Sequence, residues 1–350
     1  MKKLYVGEWV EVRSKEEILR SLDENGMLEG MPFMPEMFAF VGKKLQVHKR
    51  AHKTCDTVFP VRGRKLHRAV HLDTRCNGHG HDGCQAGCLI FWKEAWLKPA
   101  HFKESEAPKS IGTQCNEQDV FARAKTTAAK GTTTYMCQAT QLPYATTNLE
   151  WWDVRQYVED YWSGNVGLWA ILCGSVYSIY YALTEAGVGV GRPMRWFYDK
   201  FYPLWRGTPF PRKRGSIPSG APTPVQTLDL QPGELVRIKT HDEVLKTLNT
   251  TSRNRGLYWD AEEVPYCGGT YRVLRRLERI VNEKTGKMLE MKTPSVILDN
   301  VICQSRYSNC RMFCPRSIYP YWREIWLERV VTTPKVLPAG GNQELVGKRN

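Results

Sequence analysis

Six cysteines fall into two triplets, Cys76-x7-Cys84-x3-Cys88 and Cys303-x6-Cys310-x3-Cys314. Thiolate sulfur is a soft donor suited to zinc or to an iron–sulfur cluster, and such sites ordinarily take four ligands. Each triplet is therefore one ligand short. Candidates for the fourth position of the first triplet are Cys55, His79, His81 and Cys137, and Cys267 is the local candidate for the second. Alternatively, Cys115 and Cys137, which lie between the triplets, would serve one site each, and spacing selects none of these. A histidine ligand would not transfer between triplets, because the second loop, Gln304-Ser305-Arg306-Tyr307-Ser308-Asn309, contains none. Zinc knuckles of the Cys-x2-Cys kind are absent. Three cysteines with a remote fourth is a common cluster pattern, so an iron–sulfur cluster is favoured over zinc, with up to two sites. Unligated buried thiols are the plainer alternative, since free cysteine packs as a small hydrophobe.

The two triplets belong to a longer repeat. Gly7-Glu8-Trp9-Val10 recurs as Gly233-Glu234-Leu235-Val236, Ser14/Glu17 as Thr240/Glu243, Gly42 as Gly268, and Cys84-x3-Cys88 as Cys310-x3-Cys314, all 226 positions apart. The offset then slips to 230, where Trp92-Lys93-Glu94-Ala95-Trp96-Leu97 meets Trp322-Arg323-Glu324-Ile325-Trp326-Leu327. In each copy a short strand (8–13; 234–239) leads into a helix opened by a capping box, Ser14-x-x-Glu17 or Thr240-x-x-Glu243. Alternating segments at 44–49, 69–73, 270–275 and 295–301 read as further strands. Short strands plus one small helix predict α+β architecture, with two small, partly open barrel modules. The paired tryptophans are expected to fill each core, with Lys93-Glu94 and Arg323-Glu324 as ordinary exposed ion pairs.

The repeat divides the chain into a first module (1–101), a helical middle (102–206), a proline-rich linker (207–232), a second module (233–331) and a flexible tail (332–350). In the middle, helices are expected near 118–129, over 149–162 and over 195–205. The uncharged run 166–184 is long enough to approach a bilayer span. Its glycines, serines and tyrosines dilute it, so it reads as a buried hydrophobic helix.

With 50 basic and 36 acidic residues the 350-residue chain carries a formal charge of +14, which favours anionic partners. Basic residues concentrate as Lys43, Lys44, Lys49, Arg50, Lys53, Arg62, Arg64, Lys65 and Arg68, a candidate anion-binding stripe. Glu8 interrupts the N-terminus before any apolar core develops, so no secretion signal is expected. A reducing cytoplasmic setting follows, in which eleven cysteines are thiols or ligands more often than disulfides. There is no Gly-x-Ser-x-Gly elbow, phosphate loop, dinucleotide fingerprint or His-Glu-x-x-His helix.

The Gly-x-x-Val entry, the capped helix and the Gly42-Lys43-Lys44-Leu45-Gln46-Val47 strand weakly resemble SH3-like barrels, such as those of nitrile hydratase β subunits and electron-transfer accessory subunits. That resemblance covers roughly 50 residues per copy and implies a fold only. More broadly, Arg75-Cys76-x-Gly78-x-x-His81-x-Gly83-Cys84-Gln85-x-x-Cys88-x-x-Phe91-Trp92-Lys93-Glu94-Ala95-Trp96-Leu97, with Cys137-Gln138-Ala139-Thr140 and Trp151-Trp152-Asp153, resembles an uncharacterised bacterial protein family. The resulting expectation is a cytoplasmic, cysteine-ligated metalloprotein acting in electron transfer, or as accessory to a biosynthetic enzyme, with a partner enzyme or redox protein. The alternatives are a zinc-stapled nucleic-acid or phosphate-ligand binder using the basic stripe, and a peripheral membrane protein held by 166–184.

Overall fold

The structure, a computed structural model, describes residues 3–58, 62–100, 115–129, 131–187, 189–205, 207–308 and 310–330. The predicted tail lies outside them. The protein is α+β, with helices and small antiparallel sheets, and among the described residues no sheet closes into a barrel.

The repeat is carried into strand register. Trp9–Val12 pairs with Lys44–Gln46 and Leu97–Pro99, bringing Val10 opposite Leu45 and Pro99. Leu235–Ile238 pairs with Thr270–Arg276 and Leu327–Arg329, bringing Val236 opposite Tyr271 and Arg329. These partners correspond one for one at the two sequence offsets. Both capping boxes form, at Ser14 and at Thr240. The copies differ in one respect: in the second, Thr270–Arg276 runs unbroken through a bulge and joins five strands into one sheet, whereas the first splits into two three-stranded sheets.

The cores are aromatic. Phe33 packs edge-on against Trp92 and Trp96, and Trp259, its counterpart, packs the same way against Trp322 and Trp326. The neighbouring charges are not exposed ion pairs as expected, for Lys93, Glu94, Arg323 and Glu324 are all buried. Glu94 accepts from Arg50 at 2.8 Å, Lys93 reaches Glu29 and the His67 carbonyl, and Glu324 accepts the backbone N–H groups of Leu228, Asp229 and Leu230. Segments that flank each sheet need these acceptors, because a buried backbone donor left alone costs about 1–3 kcal/mol.

In the middle, helices span Glu117–Ala124, Gln138–Ala145, Arg155–Trp162, Leu168–Glu185 and Gly191–Phe201. The predicted start at 149 is instead the end of a strand, Thr147–Leu149. No helix among the described residues is long and apolar enough to cross a membrane. Leu168–Glu185 is not buried as expected either. Gly174 packs on Phe313 and Ser178 meets Met312, yet Trp169, Leu172, Val176, Ile179 and Leu183 face outward.

The basic stripe is dispersed. Arg50 pairs with Glu94 and Glu159, and Lys53 with Asp160, all beneath the surface. Lys49 turns inward to Ser317, and Arg64 is spent on Thr146, Asn148 and two carbonyls. Lys43, Lys44, Arg62, Lys65 and Arg68 remain exposed.

Three histidines add to the response to acid. Burial lowers His52 and His241 to about 4 and His71 to about 3, against an ordinary 6.5. A base whose folded pKa is depressed contributes stability that is present above its unfolded value and is lost as pH falls through that value. Each such histidine should therefore cost about 1.4 kcal/mol per pH unit below 6.5, down to its folded pKa. Among the described residues neither ring nitrogen of His241 has a hydrogen-bond partner, and the ring lies nearly parallel to Trp259. His241→Phe should leave a fold at pH 7 and flatten the loss between pH 6 and pH 4 by about 1.4 kcal/mol per unit, read from urea unfolding at each pH. An unchanged slope would refute the assignment.

Candidate metal centre

Cys76, Cys84, Cys88 and Cys137 line one small cavity together with Met34, Phe91 and Arg316. The loop that carries three of them is tightly wound. The Cys76 N–H donates to the Cys88 carbonyl (2.9 Å), closing the two ends, and His81 and Gly83 both donate to the Gly78 carbonyl at 3.0 Å. Gly78 has φ of 76°, and a Cβ there would lie 2.2 Å from the Cys84 carbonyl oxygen, so only glycine fits.

Glu36 holds this loop from the side. Buried at the start of the Pro35–Phe40 helical turn, its Oε1 accepts from Gly80 N at 3.0 Å and His81 Nδ1 at 2.7 Å, and lies 3.6 Å from Cys76 Sγ. His81 Nε2 reaches the Met136 carbonyl at 3.1 Å. Burial opposes charge on both partners, but the mutual hydrogen bond and attraction win, so Glu36 is lowered and His81 raised. Glu36, Cys76 and His81 bring ligand atoms within 4.8 Å of one another. Both imidazole nitrogens nevertheless face oxygen acceptors, which makes His81 a charged tether between Glu36 and the residue preceding Cys137, not a free ligand.

Cys137 caps the helix Gln138–Ala145. That helix is registered by Gln138, whose side chain accepts from Phe91 N (2.8 Å) and donates to Phe91 O (2.8 Å) and Pro32 O (3.2 Å). One amide thereby imitates a neighbouring strand and holds Cys137 opposite the Cys88–Phe91 segment. Burial pushes Cys88 up to about 12 and Cys137 to about 11, and raises Cys76. Any metal bound there displaces protons as it binds.

A second gathering lies across the module boundary. The Cys55 N–H donates to Cys314 Sγ at 3.0 Å, and Cys303 Sγ lies in electrostatic range of both. Cys55 and Gly63 are cross-strand partners, and the Cys310 carbonyl packs on Gly63. The Cys310 side faces Trp151 and Asn148 at a small surface pocket. Although burial opposes it, hydrogen bonds from Cys55 and the Arg316 N–H bring Cys314 down to about 7, and Cys55 rises well above the thiol range in consequence. Glu262 repeats the part of Glu36, accepting from Arg306 N (2.9 Å), Tyr307 N (2.6 Å) and Ser308 Oγ (3.0 Å).

The two gatherings interlock. Val281, the counterpart of Cys55 in the repeat, donates its N–H to Cys84 Sγ at 3.3 Å. Each module's hairpin, 53–65 or 279–290, thus reaches over to a cysteine of the other. Buried Arg316 spans the gap, with its backbone N–H on Cys314, its guanidinium at the Cys88 cavity and an ion pair to Glu283 at 2.7 Å.

Among the remaining candidates, His79 is exposed, Cys115 packs in the first core and Cys267 against the second. None of the three lines the cavity. Glu36, Glu262, Gln138 and Arg316 escaped the sequence reading. Glu36 and Glu262 share the 226 offset and carried a legible signal; Arg316 carried none.

No protein-family model matches the chain, and the searches of curated proteins and of solved structures returned no match.

Glu262→Ala removes the acceptor of three donors, each worth about 1–3 kcal/mol when buried and unpaired. The 303–314 loop should then open locally. Alkylation of Cys303 and Cys314, followed by mass spectrometry, should quicken about ten-fold or more, while Cys76 and Cys88 label at the wild-type rate. Equal labelling of both loops would refute a local role for Glu262.

Proposed function

We propose that the protein is a cysteine-ligated metalloprotein, iron–sulfur in preference to zinc, that acts in electron transfer or as an accessory to a biosynthetic enzyme. The observation that carries this reading is the convergence of Cys76, Cys84, Cys88 and Cys137 on one cavity. Its donor chemistry fits either group; a cysteine triplet with a remote fourth is the sequence pattern that favours the cluster. Cys55, Cys303, Cys310 and Cys314 are the ligand set of a second site in this reading. A cluster so held would supply one-electron transfer. The chain's part is to exclude water with Met34 and Phe91, to donate N–H groups to sulfur from Val281, Cys55 and Arg316, and to set a buried cation beside the thiolates. These are the levers that set cluster potential.

The equivalent strand registers support reading each module as an SH3-like unit opened into sheets, with the bacterial family resemblance resting on its motif alone. A cytoplasmic setting accords with eleven free thiols. A nucleic-acid surface on 43–68 has less support, because its cations are divided between interior and surface. The outward row Trp169, Leu172, Val176, Ile179 and Leu183 favours a second reading, in which the protein also rests on a membrane surface.

Anaerobic purification should give a brown protein with comparable amounts of iron and acid-labile sulfide. Cys137→Ala and Cys55→Ala should each lose about half of the iron, and together nearly all, if each set needs its four sulfurs. Stoichiometric zinc without sulfide would replace the cluster by zinc, and a metal-free, colourless protein would end the proposal. For the membrane reading, co-flotation with anionic vesicles should fall at least five-fold in Trp169→Ser/Val176→Ser; no flotation of the wild type would exclude it.

A further inference from the structure

A cavity of about 330 Å³ lies between the helices Leu168–Glu185 and Gly191–Phe201, the linker and the second module. Its size is that of a small-ligand pocket. Arg195, Arg212, Lys213 and Arg214 supply four cations to its wall, and Glu185, paired with Arg195, is the one carboxylate. Lys213 is balanced by Asp199 at 2.9 Å, and Arg212 lies 4.9 Å from the Tyr181 ring centre while it donates to the Tyr307 carbonyl. Arg214 is exposed, with no ion pair among the described residues.

Tyr181 and the exposed Tyr258 add aromatic walls. Trp259 also borders the cavity, but it is 2% exposed and belongs to the second core. Cations call for an anion rich in oxygen; aromatic walls call for a flat ring.

We infer that this cavity is a binding site for a nucleoside monophosphate, the phosphate among Arg195, Lys213 and Arg214 and the base against the tyrosine walls. A bare phosphate would leave the aromatic walls unused, and a neutral nucleoside would leave the cations unused. No cysteine lines the cavity, though Arg212 joins its wall to the 303–314 loop at the Tyr307 carbonyl.

Isothermal titration of the full chain with adenosine, guanosine and uridine monophosphates tests this, with adenosine and inorganic phosphate as partial ligands. At least one nucleotide should bind saturably, more weakly as salt rises, and at least ten-fold more tightly than either partial ligand. Arg214→Ala, an exposed position whose loss should leave the thermal midpoint unchanged, should weaken that nucleotide about ten-fold. The inference is overturned if no nucleotide binds, if phosphate or adenosine binds as well as the nucleotide, if Arg214→Ala binds as wild type does, or if only an oligonucleotide binds.

Discussion

Each cysteine loop depends on a backbone N–H that its own module does not supply. Cys55 N–H points at Cys314, and Val281 N–H points at Cys84, from hairpins related by the internal repeat. Sulfur is a weak acceptor, so these contacts contribute little energy singly. What they add is geometry: each loop, closed by bonds of its own, is met by a hairpin that crosses from the other module. Gln85 adds to the same crossing, donating its N–H to Arg279 O while its side chain accepts Arg279 N at 3.1 Å. Arg75 does likewise, reaching Ser317 O and stacking 3.9 Å from the Tyr319 ring centre.

Such an interface buries charge, and the structure meets that cost by pairing. Glu36 holds His81, Glu283 holds Arg316, Asp160 holds Lys53, and Glu94 with Glu159 holds Arg50. A buried pair adds little net stability over well-packed apolar residues, but removal of one partner is severe. Their value lies in position. Glu36 and Glu262 occupy matching points of two helical turns and accept from the loops that carry the cysteines, so a core element fixes where each loop can lie. Arg316 extends the arrangement by touching both sulfur sets from one residue.

The repeat was legible because it survives in types that backbone geometry demands: the capping hydroxyls and carboxylates, the opening glycines, the tryptophans. Triplet spacing was legible for the same reason. Cys137 could only be named among equals, since its place rests on Gln138 imitating a strand, a tertiary match that has no local pattern. The burial of Lys93, Glu94, Arg323 and Glu324 was misread because a charged pair between tryptophans looks like a solvated face until its partners come in from afar: the His67 and Thr293 carbonyls that accept from Lys93 and Arg323, and the N–H groups of 228–230 that donate to Glu324. Leu168–Glu185 was misread in the opposite sense. An uncharged helix suggests a core, but only its Gly174 and Tyr177 side is covered.

The glycines show how far sequence can mislead about shape. Gly78 and Gly87 adopt φ of 76° and 60°, and the second copy places Ser305 and Phe313 in the same left-handed region, at 51° and 59°. Non-glycine residues there are strained, by roughly 1–3 kcal/mol, and persist only where surroundings over-determine them. The two copies therefore share the conformation without sharing the residue that makes it easy. What over-determines it in the second copy is the Glu262 acceptor and the Ser305–Phe313 bond of 2.9 Å. The sources of sulfur differ between the copies in the same manner. The hairpin position that carries Cys55 in one copy carries Val281 in the other, and a helix from the middle region brings Cys137 where a hairpin cysteine is missing. Neither sulfur set is complete within the module that bears its triplet, so the boundaries of the repeat are not the boundaries of the sites.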